Sequence, residues 1–335
     1  MKKTYYLFND GRMSRKDNTL CFVARDKDGK EQPAKYLPIE TVETMYVFGS
    51  LDLNSALLNY LGQKQIVFHF FDYYEHYTGS FMPKDYLLAG KMQIEQTRAY
   101  LNHKRRLPIA KSFIEAAVFN MRKNLKYYDH RGRDMEPLIE RLDTYNSQIE
   151  KTQTVDELMG IEGNCRKIYY AAFNLIIQDF VMGHRQKQPP DNEVNALISF
   201  GNMLCYSLCL SLIYHTQLNP TISFLHEPGV RRYSLALDIA EIFKPILVDR
   251  IIFKVFNKKE LQEKHFDKNV NSCVLNKSGK EIFLRNWEEK LGETIKHRSL
   301  DRQVSYKHLV KLECYKLQKA ILEIETEYQG FKIWW

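Results

Sequence analysis

The hydrophobic period of this chain changes once, near residue 83, and that change fixes its fold class. Up to Met82 the apolar residues come in short β-branched and aromatic runs separated by turn signals. Thr4 to Phe8 is followed by Asn9-Asp10-Gly11, Leu20 to Ala24 by Asp28-Gly29, and Val42 to Phe48 by Gly49. Leu53 to Leu61 reads as a short helix, and Ile66 to Phe71 as a buried strand. Beyond Pro83 the apolar spacing becomes 3.6, the period of an amphipathic helix. Helices are expected from Leu87 to Leu101, Ile109 to Leu125, Pro137 to Ile149, Val155 to Phe180 and Asn192 to Ile213. A further helix over Tyr233 to Phe256 should bend or break at Pro245, and Ser305 to Tyr328 should form the last one. Asn276 to Gly279 reads as a turn, with Cys273-Val274-Leu275 and Ile282-Phe283 as the arms of a small hairpin. The chain is therefore expected to be α+β: a mostly-β domain over residues 1–82, then an all-α domain over 83–335, with the stretch 77–85 as strand end and linker.

Charge follows the same division. Residues 1–82 hold 10 basic and 10 acidic side chains, so the whole net charge of +8 lies in the 39 basic and 31 acidic residues of the second part. A basic domain beside a neutral one suits a polyanion partner. The six cysteines show no CxxC pair and are expected to be reduced core residues. Apolar runs such as Phe173 to Ile177 are far short of the ~20 residues of a membrane span, and MKKTYYLFND does not read as a secretory signal. A cytoplasmic, membrane-free protein is expected.

Three segments of the helical part place polar residues where a core would not want them. The richest is Leu218 to Pro245, LNPTISFLHEPGVRRYSLALDIAEIFKP, with His226 in a Pro/Gly-bounded loop, Arg231 and Arg232 behind it, and Asp238 and Glu241 three apart on an apolar segment. That spacing puts both carboxylates on one helix face, where burial demands a cation or hydrogen bonds. The second segment is Glu162 to Tyr170, in which Gly163 in mid-helix suggests a close approach by a backbone or ligand. The third runs from Pro189 to Gly201, and Asn195, Ser199 and Asn202 make a polar stripe that suits either an interhelical seam or a substrate. Glu162, His226 and one carboxylate of the acidic pair could share a hard divalent ion, Mg²⁺ or Mn²⁺. A loop histidine with satisfied hydrogen bonds and capping carboxylates is the competing reading. Arg105 and Arg106 in HKRR, Arg185 in HRQK, and Arg231 and Arg232 are candidate phosphate contacts, with solvated charged faces as the alternative.

The order of these segments, EGNCRKIYY from Glu162, PPDNEVNALISFG from Pro189 and the stretch from Leu218, resembles the CRISPR-associated adaptation endonuclease/integrase family. The resemblance runs from end to end, and the opening MKKTYYLFNDGRMSRKDNTLCF is similar to the branch accompanying type I-B systems. It implies metal ligation by Glu162, His226 and Glu241, with Asp238 catalytic through support of the site or a further ion. It also implies Mg²⁺ or Mn²⁺ as cofactor, a homodimer formed through the β-rich part, a small ferredoxin-like adaptation partner, and double-stranded DNA as substrate. The implied reaction inserts short duplexes into a CRISPR array by 3′-OH attack on a repeat-border phosphodiester. Cys165, where the family commonly has a small residue, and Tyr233 before the SLALD run depart from its pattern without touching the implied ligands. Two other readings remain: a general metal-dependent nuclease, and a non-catalytic scaffold in which Glu162 and Glu241 merely pair with arginines.

Overall fold

The computed structural model describes residues 2–72, 76–84, 87, 89–187, 189–229, 233–269 and 272–334. The chain divides into two compact units, Met1–Tyr86 and Leu87–Trp335.

The first unit is strand-rich. One sheet has the order β1 (Lys3–Leu7), β5 (Val42–Val47), β7 (Val67–Phe71), β8 (Tyr77–Phe81); its first three strands are parallel and β8 is antiparallel to β7. The other has the order β4 (Lys35–Pro38), β3 (Thr19–Ala24), β2 (Gly11–Lys16), β6 (Leu51–Asp52). Helix α1 (Ser55–Lys64) is capped by Asn54, whose side chain accepts from Leu57 N–H, and contributes Leu57 and Leu61 to a core with Met13, Leu20, Phe22, Met45 and Phe68. The sequence reading missed β2, β4 and β6, and read β8 only as a strand end before the linker. Strand β2, GRMSRK, buries only Gly11 and Met13, so it offers little hydrophobic alternation to read.

The second unit is helical. Helix α2 (Gly90–Leu101) leads into α3 (His103–Asp129), which starts at the Asn102 cap and runs through Pro108. There follow α4 (Glu136–Ile149), α5 (Val155–Ala171), the short α6 (Phe173–Ile176) and α7 (Glu193–Tyr214). Helix α7 is long and apolar enough to cross a membrane by composition, yet most of it is buried inside this unit. At Gly201 an added Cβ would meet Val248 Cγ1 at 2.4 Å, so glycine lets α7 close on the next segment.

Of the bend or break expected at Pro245, the break does not occur. Helix α8 (Ser234–Lys244) continues through a π-turn, Pro245–Asp249, into α9 (Arg250–Asn257). Proline donates no N–H, and a wider turn absorbs that loss without ending the helix. The expected hairpin at 273–283 is also corrected. Strand β10 (Ser272–Leu275) pairs with β9 (Phe266–Asn269), and Asn276 caps α10 (Lys277–Gly292), so Ile282 and Phe283 are helical. A second hairpin, β11 (Thr294–Lys296) with β12 (Gln303–Ser305), precedes α11 (Tyr306–Ile321). The final segment docks on its own unit. Asn120 of α3 bonds Phe331 O and Ile333 N at 3.0 and 2.9 Å, and Phe331 stacks on Phe243 of α8. All six cysteines are buried and unpaired.

Candidate functional site

Helix α8 presents two carboxylates one turn apart, and the structure gives them different tasks. Asp238 is fully buried. Its Oδ2 accepts the N–H groups of Phe224 and Leu225 at 2.7 and 3.0 Å, and its Oδ1 accepts that of His226 at 2.9 Å. The same Oδ1 lies 2.9 Å from His226 Nδ1. Charged hydrogen bonds of this kind offset the burial of the carboxylate. They also fix the imidazole: with Nδ1 held by Asp238, Nε2 is the nitrogen left to act, the usual arrangement behind a metal-ligating histidine. Burial works against a charge on His226, but the Asp238 bond and charge raise its pKa above the ordinary value.

The loop carrying His226 is clamped from the opposite side by α2 and α3. Buried Gln96 donates to Asn219 O and Ile222 O at 2.9 and 2.7 Å and accepts from Asn219 N–H at 2.9 Å. Arg106 Nε donates to Phe224 O at 2.9 Å, and its other end pairs with Glu227, which also accepts from Tyr100 Oη at 2.8 Å. The loop is thus held by side chains on three helices.

The second carboxylate, Glu241, faces α5. Arg166 Nε donates to Glu162 Oε1 at 3.0 Å, one helical turn back, and its Nη2 reaches across to Glu241 Oε2. Lys244 takes the other oxygen of Glu241. Burial pushes the Glu241 pKa up, but Lys244 and Arg166 outweigh it and hold the carboxyl well below the usual range; the His226 charge acts in the same direction. Lys244 is raised in turn by Glu241 despite its own burial. Arg166 thereby ties both carboxylates to one guanidinium.

Behind this array sits Asp249 of the π-turn, which burial pushes up to about 7. Its Oδ2 and Arg166 Nη1 are buried without a hydrogen-bond partner among the described residues. The folded pKa lies above the unfolded 3.8, so the native state binds the extra proton between these values and stability falls as pH rises through that window. Asp249→Asn is therefore expected to gain stability relative to the parent as pH goes from 5 to 8, read from urea midpoints at the two pH values. A constant difference would contradict the buried-proton assignment.

Among the described residues no three His, Cys, Asp or Glu donors already stand as a ligand cluster. Both oxygens of Glu241 are instead taken by cations, and those of Asp238 by backbone N–H groups and His226. The donor set itself, one imidazole with an available Nε2 and two carboxylates, suits a hard divalent ion. Loading such an ion would replace the ion pairs of Glu241 with metal bonds.

The predicted phosphate contacts stand elsewhere. Arg105 Nη2 donates to Ile321 O at 2.6 Å, and Arg106 serves the histidine loop. Arg185 binds Asn195 Oδ1 and Ser199 Oγ at 3.1 and 3.0 Å, so two residues of the polar stripe on α7 form a seam with a loop arginine. Arg231 and Arg232 lie outside the described residues. The close approach expected at Gly163 is absent, since an added Cβ there would meet no atom within 4 Å. Sequence reasoning passed over Arg166, Lys244 and Gln96 as site residues. The spacings Glu162–Arg166 and Glu241–Lys244, four and three apart, carried a readable signal; that of Gln96 is long-range and did not.

The family model described as "CRISPR associated protein Cas1" matches residues 5–289. The CRISPR-associated endonuclease Cas1 of Fusobacterium nucleatum is 43% identical over 336 residues, covering 100% of this chain and 98% of that one. A relative of the same description from Moorella thermoacetica is 46% identical, covering 99% and 100%. Among solved structures, a Cas1 protein from Thermotoga maritima superposes with a TM-score of 0.85 at 38% identity, covering 99% and 100%. A casposase bound to integration product shares the fold at TM-score 0.87 and 18% identity, covering 98% and 93%.

Proposed function

This chain belongs to the Cas1 family of CRISPR-associated proteins, and we propose that it is a metal-dependent DNA endonuclease and integrase. In this reading it inserts short duplexes into a CRISPR array. The observation that supports it most is that Arg166 bonds both Glu162 and Glu241, while His226, whose charge also acts on Glu241, has its Nδ1 locked by Asp238. Its relatives are named endonucleases, which favours phosphodiester chemistry on this arrangement.

Glu162, Glu241 and His226 Nε2 would hold the ion, Mg²⁺ or Mn²⁺. When bound, such an ion polarises the scissile phosphate and stabilises charge on the attacking and leaving oxygens. The chain's own residues supply the positioning. Asp238 keeps His226 in one tautomer, and Gln96 and Arg106 keep its loop in place. Arg166 holds the two carboxylates at one point before an ion arrives. A 3′-OH attacking the phosphorus forms the new P–O bond as the repeat-strand bond breaks; water in its place makes the same site an endonuclease. The partners in this reading are double-stranded DNA, a second copy of the chain joined through the β-rich unit, and a small ferredoxin-like adaptation protein, with type I-B as the accompanying system.

A second reading has a specific observation behind it. Glu162 and Glu241 do pair with Arg166 and Lys244, as a non-catalytic nucleic-acid scaffold would require. The test is joining of a labelled 3′-OH duplex to a repeat-bearing supercoiled plasmid, with the small partner and Mn²⁺ or EDTA. Joining with Mn²⁺ that EDTA abolishes is the expected result. DNA binding without joining under either condition would leave the scaffold.

A further inference from the structure

The β11–β12 hairpin and the first turns of α11 gather a cationic face that the site above does not use. Lys296 closes β11, Arg298 and Arg302 lie in the turn segment, and Lys307, Lys311 and Lys316 follow on α11. Ser305 caps that helix by accepting from His308 N–H at 3.2 Å, so strand and helix meet without a loop. Two histidines report how the charges converge. Burial and then Arg302, Lys311 and His297 lower the pKa of His308, while burial, Lys316 and Arg302 lower that of His297. Hairpin and helix cations therefore act on the same points.

The face is built rather than loose. Trp334 from the docked terminus donates its indole N–H to Lys296 O at 2.9 Å and meets the His297 ring edge-on at 5.6 Å. The Arg298 guanidinium lies 5.1 Å over the Trp334 ring, an arrangement that orders an arginine in advance. His297 Nδ1 accepts from the N–H groups of Ser299 and Leu300 at 3.3 and 3.2 Å and so shapes the turn.

Negative charge on this face is sparse. Asp301 pairs with Lys296 at 2.7 Å, but both side chains are largely exposed, so that pair restrains little. The carboxylate of Glu313 is buried beneath the face, accepting from Phe331 N–H at 3.1 Å and pairing with Lys316 at 2.8 Å, which leaves Arg298, Arg302 and Lys311 as the cations the face offers. Neither Arg298 nor Arg302 has a carboxylate partner among the described residues. We infer that this hairpin–helix face is a docking surface for the phosphate backbone of duplex DNA, separate from the carboxylate–histidine centre. Regular phosphates offer each of several cations its own partner and release counterions as they bind. The contacts would set where the duplex lies without reading its sequence. The inference rests on the reading of the chain as a DNA enzyme, and assigns part of its substrate path.

The experiment measures binding of a fluorescent duplex to the full chain across a KCl series. The parent is compared with the triple variant Arg298→Gln, Arg302→Gln, Lys311→Gln, after matched thermal melts. The expected result is weaker binding by the variant, with the slope of log K against log salt reduced by about 2–3 for three lost contacts. Arg298→Lys with Arg302→Lys should keep most of the slope, because the charge and not the shape is what counts. A parent that binds no duplex would overturn both the inference and the DNA reading. A parent that binds with a slope the triple variant leaves unchanged would overturn the inference alone. The latter result combined with lost binding to the purified small adaptation partner would reassign the face to an acidic protein.

Discussion

Glu241→Ala is expected to lose metal-dependent joining by at least about 10²–10³-fold and about 3–5 kcal/mol of stability with it. The two losses have one origin. Glu241 is the shared counterion of Arg166 and Lys244, and its side chain is 7% exposed against 10% and 14% for theirs. Removing it leaves two cations in a buried space with Glu162 and the Asp249 carboxyl as the acidic groups beside them. The sign of the pH dependence follows from its depressed pKa: the folded value lies below the ordinary 4.5. The stabilisation is therefore fully present above the unfolded pKa and is lost as pH falls into the acid range. Urea unfolding of parent and variant should differ most near pH 7, and the difference should shrink progressively as pH falls below the ordinary 4.5. Glu241→Gln, which keeps the volume and one acceptor, should lose less stability and as much activity. A variant that joins DNA normally would remove Glu241 from the chemistry, whatever its stability.

Asp238→Asn is the second large effect, and it separates positioning from ligation. Both carboxylate oxygens are already committed, to three backbone N–H groups and to His226 Nδ1. An amide keeps the shape but replaces one acceptor oxygen with a donor, facing N–H groups that need an acceptor. Each buried donor left unpaired costs about 1–3 kcal/mol. Loss of the bond behind a ligating histidine typically weakens metal binding by about 10–100-fold. The expected outcome is therefore weaker Mn²⁺ binding with Glu162, His226 and Glu241 all intact, and a histidine loop more open to proteolysis between 219 and 227. Unchanged Mn²⁺ affinity would mean that the orientation of His226 is set by Gln96 and Arg106 alone.

Much of this was legible because local chemistry and tertiary structure agree. The period change near residue 83 separates strand-rich from helical structure, and the apolar run from Asn192 gives the core helix α7. Asp238 and Glu241 share a helix as their spacing demanded. What stayed hidden depends on partners distant in sequence. HKRR at 103–106 reads as a basic patch, yet it opens α3, and its arginines spend their donors on Ile321 O and on the loop of His226. Pro245 carries a helix-breaking signal that the π-turn overrides, because α7, α8 and α9 pack tightly around it. Asn276-Lys277-Ser278-Gly279 has the composition of a turn and the geometry of a helix cap, and the difference is made by Asn276 Oδ1 accepting from Gly279 N–H. The terminal Phe331 and Trp334 are apolar in sequence; that they pack on α3, α8 and the β11–β12 hairpin is a tertiary fact.

The central claim is that Glu162, His226 and Glu241 hold one divalent ion in place of the Glu241 ion pairs. The most direct measurement is a titration of the metal-free protein with Mn²⁺ followed by electron paramagnetic resonance, for the parent and for Glu162→Gln, His226→Ala and Glu241→Gln. The account predicts one tightly bound Mn²⁺ per chain in the parent, and binding weakened at least about tenfold in each variant while the fold is retained. Equal binding by the parent and all three variants would contradict it and leave the carboxylates as structural partners of Arg166 and Lys244.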